Sequence, residues 1–183
     1  MQLGFYFDQS RCSNCLTCVV ACKDWYDIPA GPVSWRRVVT LEEGRYPDLS
    51  VSFLSIACHH CEDAPCVSAC PVEAIKKRET DGIVVADSEN CLGQDSCGDC
   101  IKACPYGAIQ FAEESDAKIQ KCDLCLERWA EGKKPVCVES CPMRALDAGP
   151  LNELESKYET VTEVQGFEVI NGTKPSIVFK RKD

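Results

Sequence analysis

Sixteen cysteines in 183 residues fall into four quartets. They are Cys12, Cys15, Cys18 and Cys22; Cys58, Cys61, Cys66 and Cys70; Cys91, Cys97, Cys100 and Cys104; and Cys122, Cys125, Cys137 and Cys141. Every quartet closes with Cys-x3-Cys, and in the last three a proline follows at once (Pro71, Pro105, Pro142). Four thiolates complete the coordination of one cubane iron–sulfur cluster. Four quartets therefore imply four 4Fe–4S clusters and a chain that passes electrons. A complete set of cysteines leaves no open iron at which a substrate could react. The expectation is an electron-transfer chain with no catalytic residue of its own.

Two other uses of cysteine compete. A disulfide scaffold suits a short secreted domain, but this chain is long and MQLGFYFDQSRC has no basic stretch followed by an apolar run. Three cysteines within seven residues are also poorly placed for three separate bridges. Zinc uses Cys-x2-Cys pairs as well, but not a Cys-x2-Cys-x2-Cys triple or three Cys-Pro endings. The formal charge of −9 argues against nucleic acid as a partner. A cubane on four thiolates carries about −2, so loading takes the chain to about −17. Arg11, Lys23, Lys102, Lys121 and Arg128 lie beside the quartets and are candidates to offset that charge. His59 and His60 lie inside a complete quartet, so they are expected to pack over a cluster or donate to a sulfur. No window reaches the roughly 18 apolar residues of a membrane helix. Thiolates and oxygen-sensitive clusters suit a reducing compartment, which predicts a cytoplasmic location or export in folded form with a partner carrying the signal.

The chain repeats internally. CPVEAI (70–75), CPYGAI (104–109) and CPMRAL (141–146) share Cys-Pro-x-x-Ala-Ile/Leu. A hairpin is predicted over 75–87 around Thr80-Asp81-Gly82, and a second over 108–122 around Glu113 to Asp116. Residues 23–57 lack cysteine and hold two of the three tryptophans. They read as an insert with strands at Val38–Leu41 and Val51–Ile56. LERWAEGKKPV (126–136) begins helically and stops at Gly132. The tail predicts a helix over 151–158 and a strand over 176–180, with a turn at Asn171-Gly172-Thr173. The fold class is α+β, built of tandem modules with short helices and small antiparallel hairpins.

In two-cluster bacterial ferredoxins, which these runs resemble, the fourth cysteine of each run ligates the other cluster. Applied here, quartets two and three cross-bond, and quartets one and four close around them. The first cluster takes Cys12, Cys15, Cys18 and Cys141; the second takes Cys58, Cys61, Cys66 and Cys104. The third takes Cys91, Cys97, Cys100 and Cys70; the fourth takes Cys122, Cys125, Cys137 and Cys22. The domains then divide into an outer module (1–22 with 115–149), an insert (23–57), an inner module (58–114) and a docking tail (150–183).

Over nearly its whole length the chain resembles the four-cluster subunits of molybdenum and tungsten oxidoreductases, the dimethyl sulfoxide reductase type. The matching stretches include SRCSNCLTCVVACKDW, SIACHHCEDAPCVSACPVEAI, CIKACPYGAIQF and KCDLCLERWAEGKKPVCVESCPMRALDAGPLNEL. Cys91-x5-Cys97 departs from that type, which has Cys-x2-Cys there. With KDWYDIPAGPVSWRRV, it looks closer to the small subunits of tungsten aldehyde oxidoreductases and benzoyl-CoA reductases. The resemblance implies single-electron relay between a tungsten- or molybdenum-pterin catalytic subunit and a further carrier. Other partners are a flavin- or NAD-binding subunit, since no nucleotide-binding glycine motif is present here, or further copies of the chain. The alternatives are a molybdenum dimethyl sulfoxide reductase complex and a free or filament-forming polyferredoxin.

Overall fold

The computed structural model describes residues 1–182. Strand β1 (Leu3–Asp8) is buried along its whole length. It reads LGFYFD, a continuous run rather than an alternating one, because it is the middle strand of a three-stranded sheet. On one side it pairs antiparallel with β6 (Leu146–Pro150), from Leu3 opposite Pro150 to Phe7 opposite Leu146. On the other it pairs parallel with β7 (Ile177–Lys180). Phe5, Phe7, Phe167, Phe179, Leu124 and Leu146 fill the core around this sheet.

Four antiparallel pairings link the four cysteine loops in a ring. After the first loop, β2 (Arg37–Glu43) pairs with β3 (Ser50–Ile56), which leads into the second. After the second, β4 (Ile75–Lys77) pairs with β5 (Val84–Ala86), which leads into the third. After the third, Gln110 bridges Gln120 just ahead of the fourth. After the fourth, β6 pairs with β1, which leads into the first. Each quartet is thus clamped at its base by strands that continue to its neighbours.

Short helices carry the third cysteine of each quartet. They are α1 (Thr17–Trp25), α2 (Pro65–Ser68), α3 (Asp99–Ala103) and α5 (Val136–Glu139), with α4 (Leu126–Ala130) ahead of α5. α1 packs on α5, and α2 on α3. The 75–87 hairpin forms as expected, and the strands at 38–41 and 51–56 extend to seven residues each. The 108–122 hairpin does not form: it is reduced to the single bridge at Gln110 and Gln120. Beyond it the chain turns instead: Ala117 N–H donates to Glu114 at 3.2 Å and its carbonyl accepts from Gln94 N–H at 3.1 Å. The two glutamine side chains are held by the insert instead, through Ser34 and Trp35 Nε1.

The tail is woven into the core. Helix α6 (Leu151–Lys157) starts as Leu151 N–H donates to Gln2, and Tyr158 stacks on Tyr6 with ring centroids 3.8 Å apart. Asp147 is its polar anchor, accepting from Lys134, Lys157, Tyr158 and the Ala148 N–H.

Candidate iron–sulfur centres

Each cysteine loop opens with the same backbone device. The second residue after the first cysteine is left-handed in all four: Asn14 (φ 56°), His60 (φ 46°), Gly93 (φ 92°) and Leu124 (φ 61°). For a non-glycine residue this conformation costs about 1–2 kcal/mol. It turns the N–H inward, and Gly93 and Leu124 donate to the sulfurs of Cys91 and Cys122 at 3.4 Å. Strain of this kind persists where the surroundings hold it and marks functional loops.

The Cys-Pro-x-x-Ala repeat has one geometry at three places. The residue before the alanine is left-handed: Glu73 (φ 52°), Gly107 (φ 58°) and Arg144 (φ 53°). The next N–H then points back at the cysteine. Ala74 donates to Cys70 at 3.2 Å, Ala108 to Cys104 at 3.4 Å and Ala145 to Cys141 at 3.4 Å. Alanine leaves room for the sulfur, and proline suits the turn because no N–H is needed there. Hydrogen bonds to sulfur stabilise the thiolate and tune a bound cluster. Cys22, which has no proline after it, stays within α1.

The third cysteine of each run lies on a short helix, and in the last three runs the helix ends before the fourth: α2 stops at Ser68, α3 at Ala103 and α5 at Glu139. Two cavities draw their thiols from two runs each. Cys141 lines a cavity with Cys12, Cys15 and Cys18. Cys70 lines another with Cys91, Cys97 and Cys100. The charges of Cys58, Cys66 and Cys104 act on Cys61, and those of Cys58 and Cys104 act on Cys66. Cys137 and Cys125 act on Cys22, and Cys22 acts on Cys122. The crossed ligand rule would seat one quartet in each of these neighbourhoods. Among the described residues, no three His, Cys, Asp or Glu side chains converge as one bound ion would need. The thiols surround cavities instead, which suits a cubane better than a single zinc.

Burial pushes the Cys22, Cys61 and Cys66 thiols up to about 12, and that of Cys100 to about 11. Ligation requires thiolates, so iron must displace these protons as it binds. The buried nitrogen donors fit the same group. Arg36 Nη2, Arg37 Nη1, both ring nitrogens of His59, His60 Nε2 and Trp129 Nε1 are buried without a partner in the protein. Each of these groups carries an N–H, except for one of the two nitrogens of the neutral His59 ring, and the sulfides and thiolates of a cluster are acceptors. His59 packs edge-on against Tyr106 and Phe167, and burial followed by the charges of Arg36 and Arg37 lowers its pKa to about 3.

Of the five cations expected to offset cluster charge, one lies deep among the quartets. Lys121 is buried, donates to the carbonyls of Val84 and Cys122, and its charge acts on Cys66. Arg11 and Lys102 are exposed and pair with Asp8 and Asp99. Lys23 caps the carbonyls of Pro29 and Gly31. Arg128 pairs with Glu139 and lies over Trp25. Sequence reasoning missed Arg36, which is 1 % exposed. Burial alone would lower its pKa, but Cys137, Cys18, Cys122 and Cys22 outweigh that and keep it charged. The only local signal is a pair of arginines after Trp35.

The extra residues of the third quartet, Gln94 to Ser96, form one turn held by Gln94 N–H on Ala117 and Cys97 N–H on Gly93. They leave Cys91 and Cys97 facing the same cavity.

Residues 49–151 match a family model described as a 4Fe-4S dicluster domain, and residues 11–75 match a second model of the same description. The B subunit of anaerobic dimethyl sulfoxide reductase from Escherichia coli (strain K12) is 46 % identical over 187 residues, covering 98 % of this chain and 88 % of that protein. The formate dehydrogenase iron-sulfur subunit of Wolinella succinogenes is 43 % identical over 169 residues, covering 81 % of each. Protein NrfC of Escherichia coli (strain K12) is 34 % identical over 182 residues, covering 97 % and 79 %. The first matches the dimethyl sulfoxide reductase alternative, and none of the three shows the tungsten branch suggested by Cys91-x5-Cys97. No helix among the described residues is long and apolar enough to cross a membrane. With its sixteen cysteines, paired cavities and two dicluster matches, the chain belongs to the 4Fe-4S dicluster family, as a four-cluster iron–sulfur electron-transfer subunit of the dimethyl sulfoxide reductase type.

Proposed function

We propose that the chain relays single electrons between a molybdenum-pterin catalytic subunit and a further carrier, through four cysteine sets in a fixed order. The order is Cys12/Cys15/Cys18/Cys141, then Cys22/Cys122/Cys125/Cys137, then Cys58/Cys61/Cys66/Cys104, then Cys70/Cys91/Cys97/Cys100. The bound 4Fe–4S groups supply reversible one-electron chemistry. The protein holds their thiolates, aims N–H groups at the sulfurs and keeps water from the middle sets.

The observation that carries this order is the adjacency of the sets. The charge of Cys137 acts on Cys18, which links the first set to the second. The charge of Cys58 acts on Cys122, which links the second to the third. Cys66 with Cys70, and Cys100 with Cys104, link the third to the fourth through α2 and α3. Burial agrees. All four cysteines of the second set are buried, whereas Cys15 of the first is exposed and Cys70, Cys91 and Cys97 of the last are half-buried. Exposed apolar side chains lie at both ends: Leu16 and Met143 beside the first set, and Val72 and Leu92 beside the last. The outer module is residues 1–22 with 115–149, and the inner module is 58–114. The buried thiols favour a reducing, cytoplasmic setting.

Anaerobic purification of the chain with its natural partner tests the reading. About 16 iron per chain (four cubanes), with molybdenum in the partner, is expected. Zinc in place of iron, or a partner without molybdenum, would refute it.

A further inference from the structure

A fully buried arginine stands between two of the cysteine sets, and among the described residues no carboxylate pairs with it. We infer that Arg36 is an electrostatic positioning residue for the two outer clusters, raising their reduction potentials together and donating its free Nη2 to a cluster sulfur. This rests on the four-cluster reading above.

Arg36 lies within the 23–57 segment, immediately before β2. Its Nη1 donates to Ser55 Oγ at 3.2 Å on the paired strand β3, and Ser55 Oγ lies 3.6 Å from Cys18 Sγ. The guanidinium covers the Phe5 ring, 4.6 Å from its centroid. Nη2 is buried and has no partner in the protein. The acidic atoms nearest in effect are sulfurs of both sets: Cys18 of the first, and Cys22, Cys122 and Cys137 of the second.

An uncompensated buried charge costs several kcal/mol, so the fold must supply a counter-charge. Thiolates and sulfides supply it, and every electron added makes the bound group one unit more negative. A fixed cation therefore favours the reduced state, which raises the potential. For the inner sets the counterparts are Lys121, whose charge acts on Cys66 but whose ammonium donates to two backbone carbonyls, and the half-buried Arg37, whose charge interacts with Cys104. The placement makes the 23–57 segment more than a cover: it delivers one charge to a point that both outer sets share.

The test is an EPR-monitored redox titration of the anaerobically purified full chain carrying Arg36→Met or Arg36→Lys. Signals are assigned to sets by their loss in Cys15→Ser, Cys125→Ser, Cys61→Ser and Cys97→Ser. Arg36→Met is expected to shift the reduction equilibrium of both outer clusters at least tenfold toward the oxidised form, about 59 mV lower for one electron. The inner pair should move much less, and Arg36→Lys should stay near the parent. If Arg36→Met loses outer clusters, Arg36→Gln is titrated instead. Loss of the outer clusters from both neutral variants, with Arg36→Lys fully loaded, also supports a need for the charge. Equal shifts in all four clusters, no shift in any, or Arg36→Lys behaving as Arg36→Met would overturn the inference. Absence of iron from the parent chain would instead overturn the four-cluster reading itself.

Discussion

Paired cysteine substitutions separate the crossed ligand scheme from the simple one, in which each run of four holds its own cluster. A cubane that loses one of its four thiolates is damaged, and losing a second thiolate from the same cubane damages nothing further. Two substitutions in one set therefore remove about 4 iron of about 16, whereas two in different sets remove about 8. In the crossed scheme, Cys22 and Cys125 share a set, because Cys22 is buried beside Cys125 and Cys137. Cys15 belongs to another set, in the cavity closed by Cys141. Cys22→Ser with Cys125→Ser should retain about three-quarters of the iron. Cys22→Ser with Cys15→Ser should retain about half. The simple scheme reverses the two results. The assay is iron per chain after anaerobic purification, with circular dichroism to show that the rest of the fold persists. If the Cys22/Cys15 pair keeps more iron than the Cys22/Cys125 pair, the crossed scheme fails.

Three further outcomes are expected. Asp147→Asn should cost about 2 kcal/mol at neutral pH in anaerobic urea unfolding, since it loses two half-exposed lysine pairs and weakens the Tyr158 bond. Burial would raise the Asp147 pKa, but hydrogen bonds from Lys134, Tyr158, Lys157 and Ala148 outweigh it and hold the carboxyl well below the usual range. That stability is present above the unfolded carboxylate value near 4 and is lost as pH falls below it. The gap between Asp147→Asn and the parent should therefore narrow below about pH 4. Glu73→Gly should stabilise the chain by up to about 1 kcal/mol by relieving a left-handed side chain, whereas Gly107→Val should destabilise it by about 1–2 kcal/mol at the equivalent turn. Stripping the iron with an oxidant and chelator should lower the urea midpoint sharply, because four strained loops lose the group that holds them, and equal midpoints with and without iron would contradict this.

Much of the site is legible in the sequence because its signals are local. The cysteine spacings, the Cys-Pro-x-x-Ala repeat and the 75–87 hairpin each lie within a few residues, so composition and turn chemistry reveal them. The crossed sets are expected from the ligand rule of two-cluster ferredoxins, which the local Cys-x3-Cys runs resemble. What stays hidden depends on segments far apart in the chain. Nothing in LGFYFD names β6 and β7 as its neighbours, since a fully buried strand shows no alternation. The 108–122 hairpin looks sound locally, yet its glutamine side chains are taken by Ser34 and Trp35 of a distant segment and only one bridge remains. Arg36 reads as part of a cysteine-free insert, and only the packing of β2 and β3 beneath it shows that it is buried among sulfurs. The spacing that points toward tungsten enzymes is a loop insertion that, in the fold, is a single pinned turn.

The ring of strand pairings also fixes a timetable for biosynthesis. Strand β1 is made first, yet its antiparallel neighbour begins at Leu146 and its parallel neighbour at Ile177. A chain still emerging from the ribosome therefore holds LGFYFD unpaired, an apolar strand exposed on both edges. Everything between Cys58 and Cys104 is complete long before that strand finds a partner. Assembly should run from the middle outward, with the inner cysteine sets filled first and the outer sets waiting for the last third of the chain. Truncation just after residue 114 would then leave a loaded inner half beside a first loop that cannot close.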